Sequence, residues 1–166
     1  MSRKRFDDAD EWNCGIAQAL EVLGDWWTLL IVRDAFFGVK RFGDFQSSLG
    51  ISKNILTDRL AHLVRHEIFE KRDIGRDGTR FSYHLTERGE ALLPVLTTLR
   101  EWSEEWQFGA GNEPVVIVDR ASGRRLPKLR LRDADGRAVT RRDLLTEPGP
   151  GASAATRARF SRTTGD

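Results

Sequence analysis

From Gly50 to Leu63 the sequence reads GISKNILTDRLAHL. Ser52, Lys53, Asn54, Thr57, Asp58 and Arg59 place hydrogen-bonding side chains in the first turns of one helix. Leu56, Leu60 and Leu63 recur at spacings of three and four and line its other face. The chemistry open to such a set is recognition. An Asn amide can pair with an adenine edge, a Lys ammonium can take a guanine edge or a phosphate, and a Thr can meet a thymine methyl or a phosphate. Arg59 suits a phosphate, or a carboxylate of its own chain, better than a base. A helix whose polar face is merely solvated would show the same pattern, so the surrounding elements must separate the two readings.

Other chemistry is thinner. His62 and His66 are four apart, a spacing that can hold a metal from one helix face. The glutamate of a zincin motif and a third ligand are both missing, so they read as exposed or packing histidines and no metal is expected. Cys14 is the only cysteine, which rules out a disulfide within one chain and points to a reducing, cytoplasmic location. It falls in the first turn of a helix that Asn13 can cap, where backbone N–H groups favour a thiolate. It is either a redox-sensing thiol or a small inert residue. Trp12, Trp26 and Trp27 are candidates to line a ligand pocket between helices. No nucleophile sits beside a base, no carboxylates pair at readable spacing and no phosphate loop occurs, so the chain does not read as an enzyme and no cofactor is expected.

The elements that position these residues are mostly helical. Residues 1–12 read as a flexible charged arm. Ile16, Ala19, Leu20 and Leu23 form a stripe that Gly24 ends, and Asp25 can cap the next helix. WWTLLIVRDAFFG is apolar nearly all round and predicts a buried central helix. RFGDFQSSLG predicts a short helix, Gly50 a turn, and Ser52 the cap of the polar helix. Two short helices across a tight turn make a helix-turn-helix, whose second helix reaches base edges with its N-terminal residues. IFEKRDI and TRFSYHL alternate around GRDG and predict a β-hairpin. Behind a helix-turn-helix that hairpin is a wing, and Arg76, Thr79 and Arg80 near its tip could meet phosphates. Lys40 and Arg41 form a further basic pair. Thr86 can cap a last helix, which Pro94 should bend or shorten. Its stripe of Leu92, Val95, Leu96, Leu99, Trp102 and Trp106 is more apolar than the rest of the domain can cover, which suggests a partner subunit. VVIV and PKLRLRD predict strands of a small β appendage over residues 113–147, and the tail 148–166 is low in apolar residues and predicts disorder. The fold expected is mainly α with a β-hairpin wing, over residues 13–107.

The 166 residues carry a net charge of only +2, but Arg and Lys gather at 40–41, at 71–80 and beyond Arg120, as phosphate contacts would require. The longest apolar stretch, WWTLLIV, is far short of the roughly 20 residues of a membrane span, and MSRKRFDDADEW is no signal peptide.

From Cys14 to Trp106 the chain resembles the HxlR-type family of bacterial winged-helix transcription regulators, relatives of the MarR type. ALEVLGDWWTLLIVRDAFFG, RFGDFQSSLGISKNILTDRLAHLV, IFEKR, SYHLTERG and LLPVLTTLREWSEEW carry the resemblance in order and spacing. The resemblance implies a homodimer built on the first and last helices, which adds Ile16 and Leu20 to the interface stripe. It implies binding to double-stranded DNA, repression or activation of nearby genes, and often a response to oxidants, electrophiles or other small-molecule effectors. It also places Cys14 where several members carry a sensing thiol. Two departures stand out. Glu67 occupies a position at which relatives usually have Gly, between the polar helix and the wing. Paired cysteines found in the tails of some relatives are missing, so no zinc is expected. A winged helix that holds a protein instead of DNA is the alternative reading.

Overall fold

The computed structural model describes residues 13–75 and 80–163. Arg76 and Thr79 of the wing tip, Trp12 and the arm 1–12 lie outside the described residues. The chain runs α1 (Gly15–Leu23), α2 (Trp26–Phe36), α3 (Phe42–Leu49), α4 (Lys53–Arg65), β1 (Phe69–Asp73), β2 (Phe81–Leu85), α5 (Glu87–Glu90) and α6 (Leu93–Ser103). A π-turn at Glu104–Phe108 extends α6, and α7 (Ala154–Thr163) closes the described chain.

Local chemistry sets these boundaries. Asp25 Oδ1 accepts the N–H of Trp27 at 3.0 Å and starts α2. Gly50 takes a left-handed conformation at φ 61° and turns the chain between α3 and α4. Thr86 Oγ1 accepts the N–H of Gly89 at 3.1 Å, and Pro94 sits in the first turn of α6, so the last helix is broken after α5 as the proline requires. β1 and β2 pair antiparallel, Phe69 opposite Leu85 through Asp73 opposite Phe81. The segment before α3 adds to this ribbon: the N–H of Tyr83 donates to the carbonyl of Lys40 at 2.8 Å, and Arg41 bridges Ser82.

The core lies where α2, α3, α4 and the ribbon meet. Ile31, Val32, Phe45, Leu56, Leu60, Leu63 and Phe69 are essentially sealed from solvent. Burying side chains of this size stabilises by about 1.5–3 kcal/mol each before chain entropy is counted. This packing clamps one face of α4 and leaves the other free.

Four expectations need correction. Asn13 does not cap α1; Cys14 holds that position. α2 is not buried all round, since Trp26 is exposed. Residues 113–147 form no paired strand. Two turns occur there, bridged only at Val118–Arg125 and Arg132–Ala138. Asp119 accepts from the N–H and hydroxyl of Ser122, and Asp133 from the N–H groups of Asp135 and Arg137, so local carboxylate bonds replace a ladder. Last, the tail carries α7 where its composition pointed to disorder. Ser153 Oγ accepts the N–H of Thr156 at 3.2 Å, two alanines follow, and the Asn13 amide clamps the entry by donating to the carbonyl of Gly151 and accepting from the N–H of Ser153.

Candidate nucleic-acid interface

With Leu56, Leu60 and Leu63 packed into the core, α4 presents Ser52, Lys53, Asn54, Thr57 and Asp58 to solvent. Ser52 Oγ faces the N–H of Ile55 at 3.4 Å and caps the helix. The Thr57 hydroxyl donates to the carbonyl of Lys53 at 2.8 Å, which commits its proton and leaves its methyl and its acceptor lone pair. Lys53, Asn54 and Asp58 make no ion pair or side-chain hydrogen bond among the described residues. These are the first two turns of a helix anchored along its opposite face, the part of a helix-turn-helix that meets base edges. Ile55 is also exposed in this turn and can touch a thymine methyl. Sequence reading gives it no role, because an apolar residue at that position counts toward the core.

Arg59 departs from the set. Its Nη2 lies 3.2 Å from Asp25 Oδ2, with both side chains largely buried, so the internal carboxylate is the partner it takes. Lys40 and Arg41 are exposed, and their backbone is fixed beside β2. Arg80 is exposed at the described end of the wing, its carbonyl accepting from the N–H of Ile74 at 2.8 Å. Lys71 Nζ sits 3.6 Å over the ring of Phe81 and stiffens the ribbon below that tip.

The histidines are structural. His62 Nε2 donates to the carbonyl of Val22 at 2.9 Å, and the His66 ring lies 4.4 Å from that of His62. Burial, then the neighbouring His62, Arg65 and Arg88, hold His66 below the usual histidine pKa. No cluster of three metal-ligating side chains occurs among the described residues.

The apolar stripe of the last helix divides. Leu92 and Leu96 are half-buried against the core of their own chain. Val95, Leu99, Trp102 and Trp106 remain exposed, as do Ile16 and Leu20 on α1. Trp102 and Trp106 are 58% and 70% exposed, and Ile16 is 73% exposed, which is unusual for residues of this kind.

Cys14 is exposed. The backbone N–H groups of Ala17 and Ile16 lower its thiol below the ordinary value, with a smaller contribution from Arg159. Trp26 stacks on Trp27 at 3.9 Å between ring centroids, but neither lines the cleft between α2 and α6. That cleft is bounded instead by residues that sequence reading passed over, including Arg33 and Arg100. Their signal in the sequence was a charge set among apolar neighbours in WWTLLIVRD and an Arg–Glu pair four residues apart.

Residues 22–109 match the model of the HxlR-like helix-turn-helix family, more than half of the 166 residues. The chain belongs to that family. An HTH-type transcriptional regulator of Mycobacterium tuberculosis is 35% identical over 136 residues, covering 82% of this chain and 86% of the relative. The crystal structure of PA1607, a candidate transcription factor, superposes with a TM-score of 0.76 at 40% identity and covers 84% of this chain and 97% of its own. The reduced form of the transcriptional regulator YodB of Bacillus subtilis superposes with a TM-score of 0.50 at 30% identity, over 57% of this chain and 94% of that one. This HxlR-like chain is therefore a transcriptional regulator with a winged helix-turn-helix domain. Cys14 and everything past residue 109 lie outside the family match. Among the described residues no single helix is long and apolar enough to cross a membrane.

Proposed function

We propose that this regulator acts as a homodimer, joined through the exposed apolar residues of α1 and α6, that sets its two α4 helices into successive major grooves about 34 Å apart. The observation that carries the reading is the two-faced α4: three leucines locked into the core and an unpaired Lys53–Asn54–Asp58 set in its first turns. Lys53 and Asn54 read bases. Lys40, Arg41 and Arg80, held beside or on the wing, neutralise phosphates. Cys14 gives the dimer a thiol through which to respond to oxidants, in keeping with a relative solved in a reduced form.

The test is anisotropy titration of the DNA upstream of the chain's own gene and of a random duplex, at several salt concentrations. Lys53→Ala and Asn54→Ala each weaken operator binding by about 1–3 kcal/mol and relax the preference at particular base pairs. Arg80→Ala weakens binding to both duplexes and shallows the salt slope. Binding that ignores salt would sink this reading and favour a protein partner. Trp102→Glu combined with Trp106→Glu yields monomers by light scattering, and a dimer that survives both refutes the interface.

A further inference from the structure

α2 and α6 do not close on each other. Between them lies a cleft of about 440 Å³, within the usual size of a small-molecule site. Its walls include Leu30 and Phe36 of α2 and Leu93 and Leu99 of α6, and Val115 and Ile117 form a roof. The roof comes from beyond residue 109, so the family-matched domain does not supply it. Arg100 holds it down: its Nη1 donates to the carbonyl of Val115 at 2.8 Å.

Charge at this cleft is balanced. Arg33 gives Nε and Nη2 to Asp34 Oδ1 at 2.9 and 2.6 Å. Arg100 Nη1 meets both carboxylate oxygens of Glu104, at 2.9 and 2.7 Å. Each guanidinium in the wall is thus neutralised by a neighbouring carboxylate, and an ionised guest would find no free counter-charge there. Arg100 Nε makes no hydrogen bond among the described residues, but it is sealed off from any water-sized group, so a guest in the cleft does not reach it. Thr97 and Ser103 add hydroxyls along α6, and the rest of the lining is mostly aliphatic and phenyl.

We infer that the cleft between α2, α6 and the 114–117 roof is a binding site for an uncharged, largely aromatic small molecule, with the Thr97 and Ser103 hydroxyls as its polar partners. The apolar walls take the ring system by area removed from water. This goes beyond the DNA-binding reading and does not depend on it.

Two uncharged fluorophores test it on the full chain: prodan, a naphthalene with a ketone oxygen, and phenylnaphthylamine, which has no such acceptor. Both should brighten saturably with one site per chain. Thr97→Phe and Ser103→Trp, which fill the cleft from α6, should each lower both affinities about tenfold, with unfolding midpoints measured alongside. The second position is half-exposed and tolerates a larger side chain if the first does not. The proposal is overturned if neither probe saturates, or if the folded filled variants bind as the native chain does. It is equally overturned if brightening disappears as the protein is concentrated through its dimerisation range, which would give the cleft to a second copy of the chain.

Discussion

Arg59 Nη2 lies 3.2 Å from Asp25 Oδ2, and the other oxygen of the same carboxylate caps α2 by accepting the N–H of Trp27. One side chain therefore starts the central helix and fastens the recognition helix to it. Both partners are about a quarter exposed or less, at 25% and 21%, so the pair is screened less than a surface pair worth about 0–1 kcal/mol. Asp25→Ala loses cap and ion pair together and should destabilise by about 2–3 kcal/mol, of which the cap is about 1. Asp25→Asn keeps a capping oxygen and should cost less. Arg59→Ala should lower stability without altering base preference. Urea unfolding of the three variants checks the order. If Arg59→Ala shifts preference at a single base pair and leaves stability alone, Arg59 belongs to the DNA and not to Asp25.

Two backbone positions around the wing predict opposite signs. Glu67 sits at φ 58°, a left-handed conformation that costs a residue with a side chain about 1–2 kcal/mol. Its exposed side chain makes only a long contact to Arg88 at 3.7 Å. Glu67→Gly should therefore stabilise by about 1 kcal/mol, less the glycine's added freedom in the unfolded chain, and raise Tm by roughly 2–4 °C. Gly89 is buried, and a Cβ there would stand 2.3 Å from the carbonyl oxygen of Ile68 and 2.9 Å from Leu85 Cδ2. Gly89→Ala must push α5 off the ribbon and should cost about 1–3 kcal/mol. Thermal melts of both variants give the two signs directly.

The contrast between these positions marks how far the sequence could be read. Ser52, Asp25, Thr86 and Gly50 each carry their reason locally, as a cap or a left-handed turn, and the helices fall where those residues put them. Glu67 was legible only through the family resemblance, since nothing in HEIF calls for positive φ. The division of the last stripe into inward Leu92 and Leu96 and outward Trp102 and Trp106 depends on where α6 lies against α2, which helical spacing does not fix. The α2–α6 cleft depends on segments more than eighty residues apart in sequence, and no spacing rule reaches that far. VVIV reads as a strand because β-branched residues favour one, yet a strand needs a partner, and the neighbouring turns hold their own backbone groups with aspartates.

Stability should fall on mild acidification. His66 is held below the ordinary histidine pKa by burial and by the cations around it, and His84 by burial, Arg72 and Lys40. As pH drops through the ordinary histidine range near 6.5, the unfolded chain takes up these protons first, so the folded state loses its advantage until its own lowered pKa values are passed. The contribution is fully present above that range. His66→Gln should flatten part of the decline between about pH 7 and 5. Glu105, Glu113, Asp119 and Asp143 are also held low by their partners, but as carboxylates they titrate below this window and leave it readable. Urea midpoints at half-unit pH steps decide the matter. A decline of equal size in His66→Gln would place its cause elsewhere.

Cys14 should be a fast thiol that acts through the dimer. It is exposed at the N-cap of α1, and the N–H groups of Ala17 and Ile16 favour its thiolate. Ile16 and Leu20, exposed and part of the proposed dimer interface, follow on the same short helix, and the clamp residue Asn13 precedes it. An adduct at the thiol adds bulk beside both. Overpacking a packed contact costs about 1–3 kcal/mol, and 1.4 kcal/mol is a factor of ten in an equilibrium constant. Treatment with diamide or a quinone should therefore lower operator affinity about tenfold, with a matching change in the dimer equilibrium. Cys14→Ser should bind DNA as the native chain does and stop responding. Serine is also the better N-cap, so α1 should gain about 0.5–1 kcal/mol. Mass spectrometry fixes the extent of modification before each titration. A chain fully modified at Cys14 that binds its operator with unchanged affinity would leave the thiol without a regulatory role.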